Sequence, residues 1–412
     1  MIADAGPFHA LLTPEAVRER CNAIFACATE GAALHFDYDA DGFDKAADRV
    51  VAEIRLNYPR GNVPFHSRWR HFELGGRDLW ADIRAGAAAM SREDEARARI
   101  DLAVVSVLLD AGAGPDWIYR DAPTGLALGR SEGLALASLR MFEAGTLSDR
   151  GRNDPLRADA DAMERLSLDA FNRAFQVRPD NPLLGAGKRV ELINNLGAAI
   201  GRTPDVFGRD GTYRPGYLFD HLKGDAALGM IPARRILTTI LERLGDIWPT
   251  ARRIGGIAVG DIGYHPQVTH ADGTDRIVPF HKLSQWMAYS LIEPIEAGGI
   301  RVVEPDGLTG LAEYRNGGLF VDAGALRLKN PENRKRTHAP TDELIVEWRA
   351  LTVALLDRIA TRVREKMNAS EDALPLAAVL QGGTWTAGRR IARELRPDGG
   401  PPLNIAADGT LF

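Results

Sequence analysis

Residues 341–366 read TDELIVEWRALTVALLDRIATRVREK, and this stretch indicates the fold class more clearly than any other part of the chain. Its apolar side chains recur every three or four positions, which is the spacing of one face of an α-helix. The stripe consists of Leu344, Ile345, Trp348, Leu351, Leu355, Leu356, Ile359 and Val363. Thr341 stands at the expected N-cap, and Asp342 and Glu343 follow in the first turn, where carboxylates are favourable. The pattern predicts a core helix over residues 342–366.

The same period recurs through most of the chain. Thr13 and Pro14 open an early helix with a hydroxyl at the N-cap and a proline at the first helical position. Further helices are predicted at residues 43–57, 92–111, 131–145, 155–175, 187–197 and 232–244. Short apolar or β-branched runs predict strands at residues 254–259, 299–303 and 318–321. These patterns together predict a mainly α protein with a small β-sheet, an α+β fold.

The chain has 412 residues, of which 45% are hydrophobic and 26% charged, a composition typical of a globular protein with a large core. A Gly-, Asp- and Arg-rich loop at residues 203–216 is the natural place for a division. It would separate a helical half, 1–202, from a mixed half, 217–412, that carries the candidate site. No long polar linker separates these halves, so we expect one fused unit over residues 1–412.

Charge and cysteine content limit the classes of partner. Lys and Arg total 51 against 56 Asp and Glu, and this mild acidity argues against a protein that neutralises a nucleic-acid backbone. Cys21 and Cys27 are the only cysteines, which indicates a reducing compartment. The first residues do not resemble a secretion signal, and no apolar run approaches the length of a membrane span. We therefore expect a cytoplasmic protein with neither a nucleic-acid nor a membrane partner.

The sequence does not match the familiar catalytic and cofactor motifs. The run around Gly187 and Lys188 resembles a phosphate-binding loop, but Arg189 stands where that motif needs Ser or Thr. We interpret the segment instead as a glycine turn entering a helix, similar to the hairpin of helix-hairpin-helix proteins. The nine histidines lack metal-ligand spacing, so no metal and no cofactor are expected, although ligands distant in sequence stay open as a possibility.

Polar residues are concentrated in three segments of the second half. Asp261 lies in a Gly- and Pro-rich loop that follows a predicted strand, a common location for functional groups. Beyond it, a helix entered through Pro279 places Lys282, Gln285 and Tyr289 on one face. The alternative interpretation of this face is an ordinary solvated surface. Pro294 is expected to bend or end the helix.

A third segment brings four different functional groups together. Glu313, Tyr314, Arg315 and Asn316 are consecutive, two glycines follow them, and Asp322 comes after an apolar triplet. Glycines allow a close approach of the backbone to a ligand or to another segment. The alternative is a surface Glu–Arg pair beside a glycine-rich turn, which contributes little to stability.

Four motifs together resemble a known family. They are NVPFHSRWRHFE at residues 62–73, RSEGLALASLRMF at 130–142, VPFHKLSQW at 278–286 and LTGLAEYRNGGLFVDAGAL at 308–326. The set resembles the uracil-catabolism family that supplies the fourth component of the URC pathway, over nearly the whole chain. The resemblance implies a pathway in which uracil is ribosylated, its ring is opened and urea is released. Some relatives carry a phosphoribosyltransferase label.

A weaker likeness is to the queuosine-nucleotide N-glycosylases, which carry an FxKxxQ helix and an ADYRxPQxLxxxGAL segment. Residues 280–285 and 312–326 are similar to these motifs in order and spacing. Glu313 replaces their Asp, and Asn-Gly-Gly at 316–318 replaces xPQ, so a different leaving-group pocket is implied. This likeness implies a helical fold akin to helix-hairpin-helix DNA glycosylases and cleavage of an N-ribosidic bond.

Both likenesses fit hydrolysis of a ribosylurea, in its 5′-phosphate form, to urea and ribose phosphate. Such a reaction develops positive charge at the anomeric carbon, which a carboxylate stabilises. The expected catalytic residues are Glu313, with Asp322 and Asp261 in reserve. The expected substrate-binding residues are His281, Gln285 and Asn316 toward the urea, Arg315, Lys282, Arg68 and Arg70 toward the phosphate, and Trp286 and Tyr314 as pocket walls.

We further expect one shared pocket for the polar residues of the second half, namely His281, Lys282, Gln285, Glu313, Tyr314, Arg315 and Asn316. The expected partner is a small ribosylated molecule derived from a pyrimidine, and the sequence does not fix the oligomeric state. Two alternatives stay open. One is a uracil phosphoribosyltransferase, and the other is a helix-hairpin-helix nucleic-acid-binding protein.

Overall fold

The predicted core helix forms at Glu343–Met367 in the computed structural model, which describes residues 6–248 and 253–406. All eight residues of its apolar stripe are buried. The helix is buried along most of its length because other segments pack around it. The N-cap is Asp342, so the prediction of Thr341 as the N-cap is wrong. The Asp342 carboxylate accepts a hydrogen bond from the Ala339 N–H, so it stabilises the turn before the helix.

Helices dominate the described residues. The α-helices are α1 (Pro14–Thr29), α2 (Ala40–Asn57), α3 (Leu79–Gly86), α4 (Arg92–Leu108), α5 (Arg130–Glu143), α6 (Ala160–Glu164), α7 (Leu168–Ala174), α8 (Ala186–Gly201), α9 (Pro204–Phe207), α10 (Leu218–Asp225), α11 (Ala233–Leu244), α12 (Lys282–Ala297), α13 (Tyr314–Asp322), α14 (Glu343–Met367), α15 (Leu376–Val379) and α16 (Trp385–Leu395). A π-helix at Leu380–Thr384 joins the last two. Single 3₁₀ turns lie at His9–Leu11, Arg68–His71, Gly151–Asn153, Pro215–Tyr217, Gly245–Ile247, Pro305–Gly307 and Pro331–Lys335.

The strands are short and form two-stranded pairs. They are β1 (Phe36–Tyr38), β2 (Glu73–Leu74), β3 (Arg77–Asp78), β4 (Tyr119–Asp121), β5 (Leu126–Leu128), β6 (Gly208–Arg209), β7 (Thr212–Tyr213), β8 (Met230–Pro232), β9 (Arg253–Ile254), β10 (Ile257–Ala258), β11 (Ile262–Tyr264), β12 (Ile277–Pro279), β13 (Arg301–Val303), β14 (Leu326–Leu328), β15 (Thr337–His338) and β16 (Asn404–Ile405). The pairs are β1–β14, β2–β3, β4–β5, β6–β7, β8–β13, β9–β10, β11–β12 and β15–β16. The predicted fold class, mainly α with a small β content, is therefore confirmed. The helix-hairpin-helix glycosylase-like architecture stays a prediction.

Several local predictions are confirmed by the hydrogen bonds that end or begin a helix. The Thr13 hydroxyl accepts from the Ala16 N–H at 3.2 Å and caps α1. The glycine turn before α8 is also present, since Gly185 has a left-handed φ of 72°. Arg189 is buried in this helix and donates to the carbonyls of Leu109 and Ala111, so it stabilises the C-terminal end of α4.

Other local predictions are wrong. The run at 318–321, predicted as a strand, lies inside α13, because a capped helix begins just before it. The single helix predicted at 155–175 is two short helices, α6 and α7, and Ser167 caps the second. Pro279 ends β12 and does not open α12. Pro294 lies within α12, which continues to Ala297, so Pro294 does not end the helix, and a bend there stays a prediction.

The chain divides into two compact units, each assembled from segments that are distant in sequence. Unit 1 comprises Met1–His66, Arg252–Gln285 and Glu304–Phe412, and unit 2 comprises Ser67–Ala251 and Trp286–Val303. In unit 1, helices α1, α2 and α13 pack on the buried α14. In unit 2, helices α5, α8 and α10 pack on α4. These boundaries differ from the division at 1–202 and 217–412, and the single fused unit over 1–412 stays a prediction.

No helix within residues 6–248 and 253–406 is both long enough and apolar enough to cross a membrane.

Candidate functional site

Glu313 is the N-cap of α13. Its carboxylate accepts hydrogen bonds from the backbone N–H groups of Asn316, at 2.6 Å, and Arg315, at 2.9 Å. Burial raises the pKa of the Glu313 carboxyl, while those two N–H donors and the positive charges of Arg315 and Lys282 act in the opposite direction. A cap is a structural role, and a carboxyl held in one orientation with a raised pKa is also suited to chemistry.

The glycines after Glu313 allow α13 to lie close against α14. A side chain at Gly317 would place its first carbon 2.8 Å from the Trp348 ring and 2.7 Å from the Thr352 hydroxyl. The Trp348 indole N–H donates to the Gly317 carbonyl at 3.1 Å. The buried core helix therefore fixes the turn of α13 on which Glu313 lies.

Asn316 is buried and ties the start of α13 to the π-helix. Its amide nitrogen donates to the Leu311 carbonyl at 3.3 Å, and its amide oxygen accepts from the Thr384 hydroxyl at 2.9 Å. Both ends of the Asn316 amide thus have protein partners. The predicted contact of Asn316 with a urea group stays a prediction.

Lys282 and Gln285 lie in the first turn of α12. Lys282 is half-buried, and its positive charge acts on the Glu313 carboxyl. Gln285 is fully buried, and its oxygen accepts from the Thr309 backbone N–H at 3.2 Å. This bond fixes the orientation of the amide, since the reverse orientation would place two donors face to face. Within the described residues, the Gln285 amide nitrogen has no hydrogen-bond partner, which is costly for a buried donor unless a ligand accepts from it.

His281 precedes α12 with a left-handed backbone, φ 50°. Its Nε2 lies 2.8 Å from the Leu11 carbonyl, so Nε2 carries the hydrogen and donates. Burial lowers the pKa of His281, which favours the neutral ring. Its Nδ1 lies only 3.0 Å from the position that a side-chain carbon on Gly260 would occupy. The ring is therefore packed between Leu11 and Gly260, and its predicted contact with the substrate stays a prediction.

Asp261 and Asp322, the two reserve carboxylates, are each bound by both terminal nitrogens of an arginine. Arg349 donates to Asp261 at 2.9 and 2.6 Å, and the Lys282 backbone N–H also donates to it. Burial alone raises the pKa of Asp261, but Arg349 holds it below its ordinary value. Arg396 binds Asp322 in the same two-point manner. Glu313 instead accepts two backbone N–H groups, and it differs from Asp261 because burial raises its pKa.

Arg315 contacts two aromatic rings. Its guanidinium carbon lies 5.1 Å from the centre of the Tyr314 ring and 5.1 Å from the centre of the Trp385 ring. Arg389 contacts the same tryptophan, with its guanidinium carbon 5.5 Å from the ring centre. Sequence reasoning identified Arg315 and Tyr314, but it missed Trp385 and Arg389.

The π-helix positions the tryptophan. Gly382 and Gly383 lie against the end of α2 and the loop after it, where an added side-chain carbon would come within 2.7 Å of Val63 and 2.3 Å of Val50. Insertions of this type inside helices are frequent at functional sites. The glycine pair in LQGGTW, at 380–385, was the available sequence signal.

His66 lies beside the π-helix. Its Nδ1 is 2.9 Å from the Gln381 side-chain oxygen, and its ring centre is 6.3 Å from that of Trp385. His66 belongs to the motif at 62–73, so the structure joins this motif to the tryptophan of α16.

Three residues predicted for the site belong to unit 2. Arg68 is fully buried, donates to the Ser106 hydroxyl at 2.7 Å and lies 3.3 Å from the Asp110 carboxylate. Its guanidinium carbon is 5.6 Å from the centre of the Trp286 ring. Arg70 forms ion pairs of 2.8 and 2.6 Å with Glu73 and Glu293. Roles for Arg68, Arg70 and Trp286 in substrate binding stay predictions.

No group of three or more His, Cys, Asp or Glu side chains arranged to hold a metal occurs in the part of the chain that the structure describes.

Comparison with known proteins gives matches over nearly the full length. The family described as "Protein of unknown function (DUF1688)" matches residues 10–412. "Uracil catabolism protein 4" of Lachancea kluyveri is 36% identical over 435 residues, covering 96% of this chain and 97% of that protein. "Protein urg3" of Schizosaccharomyces pombe is 36% identical over 411 residues, covering 98% of each.

Proposed function

From the premise that this chain belongs to the DUF1688 family, we propose that it acts in uracil catabolism as an N-glycosidase. The resemblance to the uracil-catabolism family is confirmed by the relatives found. The substrate is a ribosylurea, in its 5′-phosphate form, and the products are urea and ribose 5-phosphate. Support for the pathway comes from the name of the relative in Lachancea kluyveri, whose length this chain covers almost completely.

The reaction breaks the bond between C1 of ribose and a urea nitrogen. The bonding electron pair leaves with the urea, positive charge develops on C1 and the ring oxygen, and a water oxygen then bonds to C1. A carboxylate beside C1 stabilises that charge and accepts the proton which the water loses. That proton then passes to the departing urea nitrogen, so that urea is released as a neutral molecule. Glu313 has this role in the proposal, because two backbone N–H groups hold its carboxylate in one orientation.

Urea is a poor leaving group as an anion, so it needs a proton or strong hydrogen bonds as the C1–N bond lengthens. The amide nitrogen of Gln285 supplies donors to the urea carbonyl, since its oxygen is already bound to Thr309. Lys282, one turn earlier on the same face of α12, adds positive charge beside Glu313. Its role toward the phosphate stays a prediction.

One observation supports the assignment most directly. The Glu313 carboxyl has a raised pKa although Lys282 and Arg315 both attract its charged form. Burial therefore dominates at this carboxyl, and the raised pKa makes Glu313 a better acceptor for the proton that the water loses.

The test is urea release from synthetic ribosylurea 5′-phosphate, with no other substrate added. A hydrolase forms equal amounts of urea and ribose 5-phosphate under these conditions. The phosphoribosyltransferase alternative requires uracil and a phosphoribosyl diphosphate donor, so it gives no product here and releases diphosphate when both are added. Absence of urea from the folded protein would contradict the proposal.

A further inference from the structure

The strongest feature outside the Glu313 carboxyl is the pair of arginines on Trp385. Arg315 and Arg389 each lie within 5.5 Å of the centre of this one ring, so their guanidinium groups are at most about 11 Å apart. We propose that Arg315 and Arg389, carried by Trp385, form a binding site for a phosphate monoester, the 5′-phosphate of the substrate. The identification of the ligand as a ribose 5′-phosphate rests on the proposed function, whereas binding of a phosphate monoester at these two arginines does not.

The two arginines are held in a fixed relation by the packing of α16 on α13. A side-chain carbon at Gly388 would lie 2.2 Å from the Arg315 carbonyl oxygen, so only glycine allows this approach. Trp385 and Arg389 flank Gly388 on α16. The hydrogen bond from Thr384, the residue before α16, to Asn316, in the first turn of α13, also joins the two helices. Fixed donors bind an anion without the cost of ordering them.

Aromatic contacts hold the Arg315 cation but do not neutralise it. Within residues 6–248 and 253–406, Arg315 takes part in no ion pair, whereas Arg349 and Arg396 in the same unit each bind an aspartate. The nearby Glu313 carboxylate is attracted to Arg315 but accepts backbone N–H groups. A half-buried guanidinium in this state is complementary to an external anion.

The chemistry of the donors selects a phosphate. Guanidinium groups present parallel N–H donors that match two oxygens of a phosphate, and they stay charged at every physiological pH. Arg315 is two residues from Glu313, so the same turn of α13 provides the carboxylate for C1 and a cation for the phosphate. This arrangement favours a sugar phosphate over an unphosphorylated nucleoside.

The test is calorimetric binding of ribose 5-phosphate and of ribose to the full chain. Arg389→Met keeps most of the apolar stem and removes the charge, and Arg393→Met on the same helix is the matched control, since Arg393 is exposed. We expect Arg389→Met to weaken binding of ribose 5-phosphate about tenfold to a hundredfold, the range for losing a charge-assisted hydrogen bond. Ribose binding and the Arg393→Met protein should be unchanged.

Two results would overturn the inference. One is wild-type protein that binds ribose 5-phosphate no more tightly than ribose. The other is a folded Arg389→Met or Arg389→Lys protein that binds ribose 5-phosphate as tightly as wild type. Arg389→Lys keeps the charge but loses the parallel donors, so a partial loss is expected even if the methionine variant fails to fold. Selective ribose 5-phosphate binding without urea release would support this site and refute the proposed reaction.

Discussion

Glu313→Gln removes one negative charge and leaves the shape of the side chain almost unchanged. The amide oxygen of glutamine can still accept the Asn316 N–H, but its NH₂ group would face the Arg315 N–H. The helix cap is therefore weakened and not abolished, at a cost of about 1 kcal/mol, typical of a lost N-cap acceptor. Part of this loss is offset, because burial penalises the carboxylate and not the neutral amide.

The effect on turnover should be much larger than the effect on stability. Positive charge at C1 exists only as the glycosidic bond breaks, so the carboxylate stabilises the transition state more than the bound substrate. We expect kcat to fall at least about 100-fold, equivalent to roughly 2.7 kcal/mol, while substrate affinity stays close to that of the wild type.

The assay is single-turnover urea release from ribosylurea 5′-phosphate, with thermal unfolding measured on the same samples. Thr13→Ala is the matched control, since it removes the N-cap acceptor of another helix in unit 1 and lies outside the candidate site. We expect Thr13→Ala to lose about 1 kcal/mol of stability and to keep its turnover.

Near-normal turnover in a folded Glu313→Gln protein would refute the reasoning. Attention would then pass to Asp322 and Asp261, despite their arginine partners. An equal fall in turnover in Thr13→Ala would indicate that weakened capping, and not the lost charge, explains the Glu313 result.

Three further predictions concern other described residues. Arg315→Ala should raise the Kd of the phosphorylated substrate about tenfold or more and leave kcat little changed, measured by calorimetry and single-turnover kinetics. Gln285→Met should lower kcat/KM for the ribosylurea up to about tenfold without weakening binding of ribose 5-phosphate, because only the urea end loses its donor. Glu347 is fully buried, accepts backbone N–H groups of residues 34–36 and contacts His265, and these hydrogen bonds outweigh burial and lower its pKa. The contribution of Glu347 to the free energy of unfolding should be complete above about pH 4.5, the ordinary glutamate pKa, and should be lost as the pH falls through the lowered folded-state pKa. The measurement is acid unfolding of wild type and Glu347→Gln. The same pH dependence in both proteins would contradict this prediction.

The core of unit 1 was readable from sequence because its signal is local. The stripe from Leu344 to Val363 repeats at the helical period over the full length of α14, and no partner segment is needed to recognise it. The run at 318–321 misled for the opposite reason. It is short and apolar, and what makes it helical is the Glu313 cap together with the contact between Gly317 and Trp348, which is 31 residues away.

The candidate site was predictable in part. The helical spacing placed Lys282 and Gln285 on one face of α12, and the structure brings the Lys282 charge to act on Glu313. The arginine partner of Asp261 is 88 residues away in sequence, and that of Asp322 is 74 residues away. No local pattern reveals such pairings. Trp385 was missed because its position depends on the π-helix before it, and the glycine pair at 382–383 was not interpreted as part of such a helix.

The interleaved composition of unit 1 has a consequence for synthesis of the chain on the ribosome. Helices α1 and α2 emerge within the first 66 residues, but the helix on which they pack begins only at Glu343. At a translation rate of about 5 to 20 residues per second, roughly 15 to 55 s pass before synthesis reaches α14. During this time the apolar faces of α1 and α2 stay unpacked. Unit 2 is complete at Val303 and is free to fold in the last part of that interval. The nascent chain therefore presents an exposed apolar N-terminal segment beside an already folded unit, which is the state that chaperones recognise.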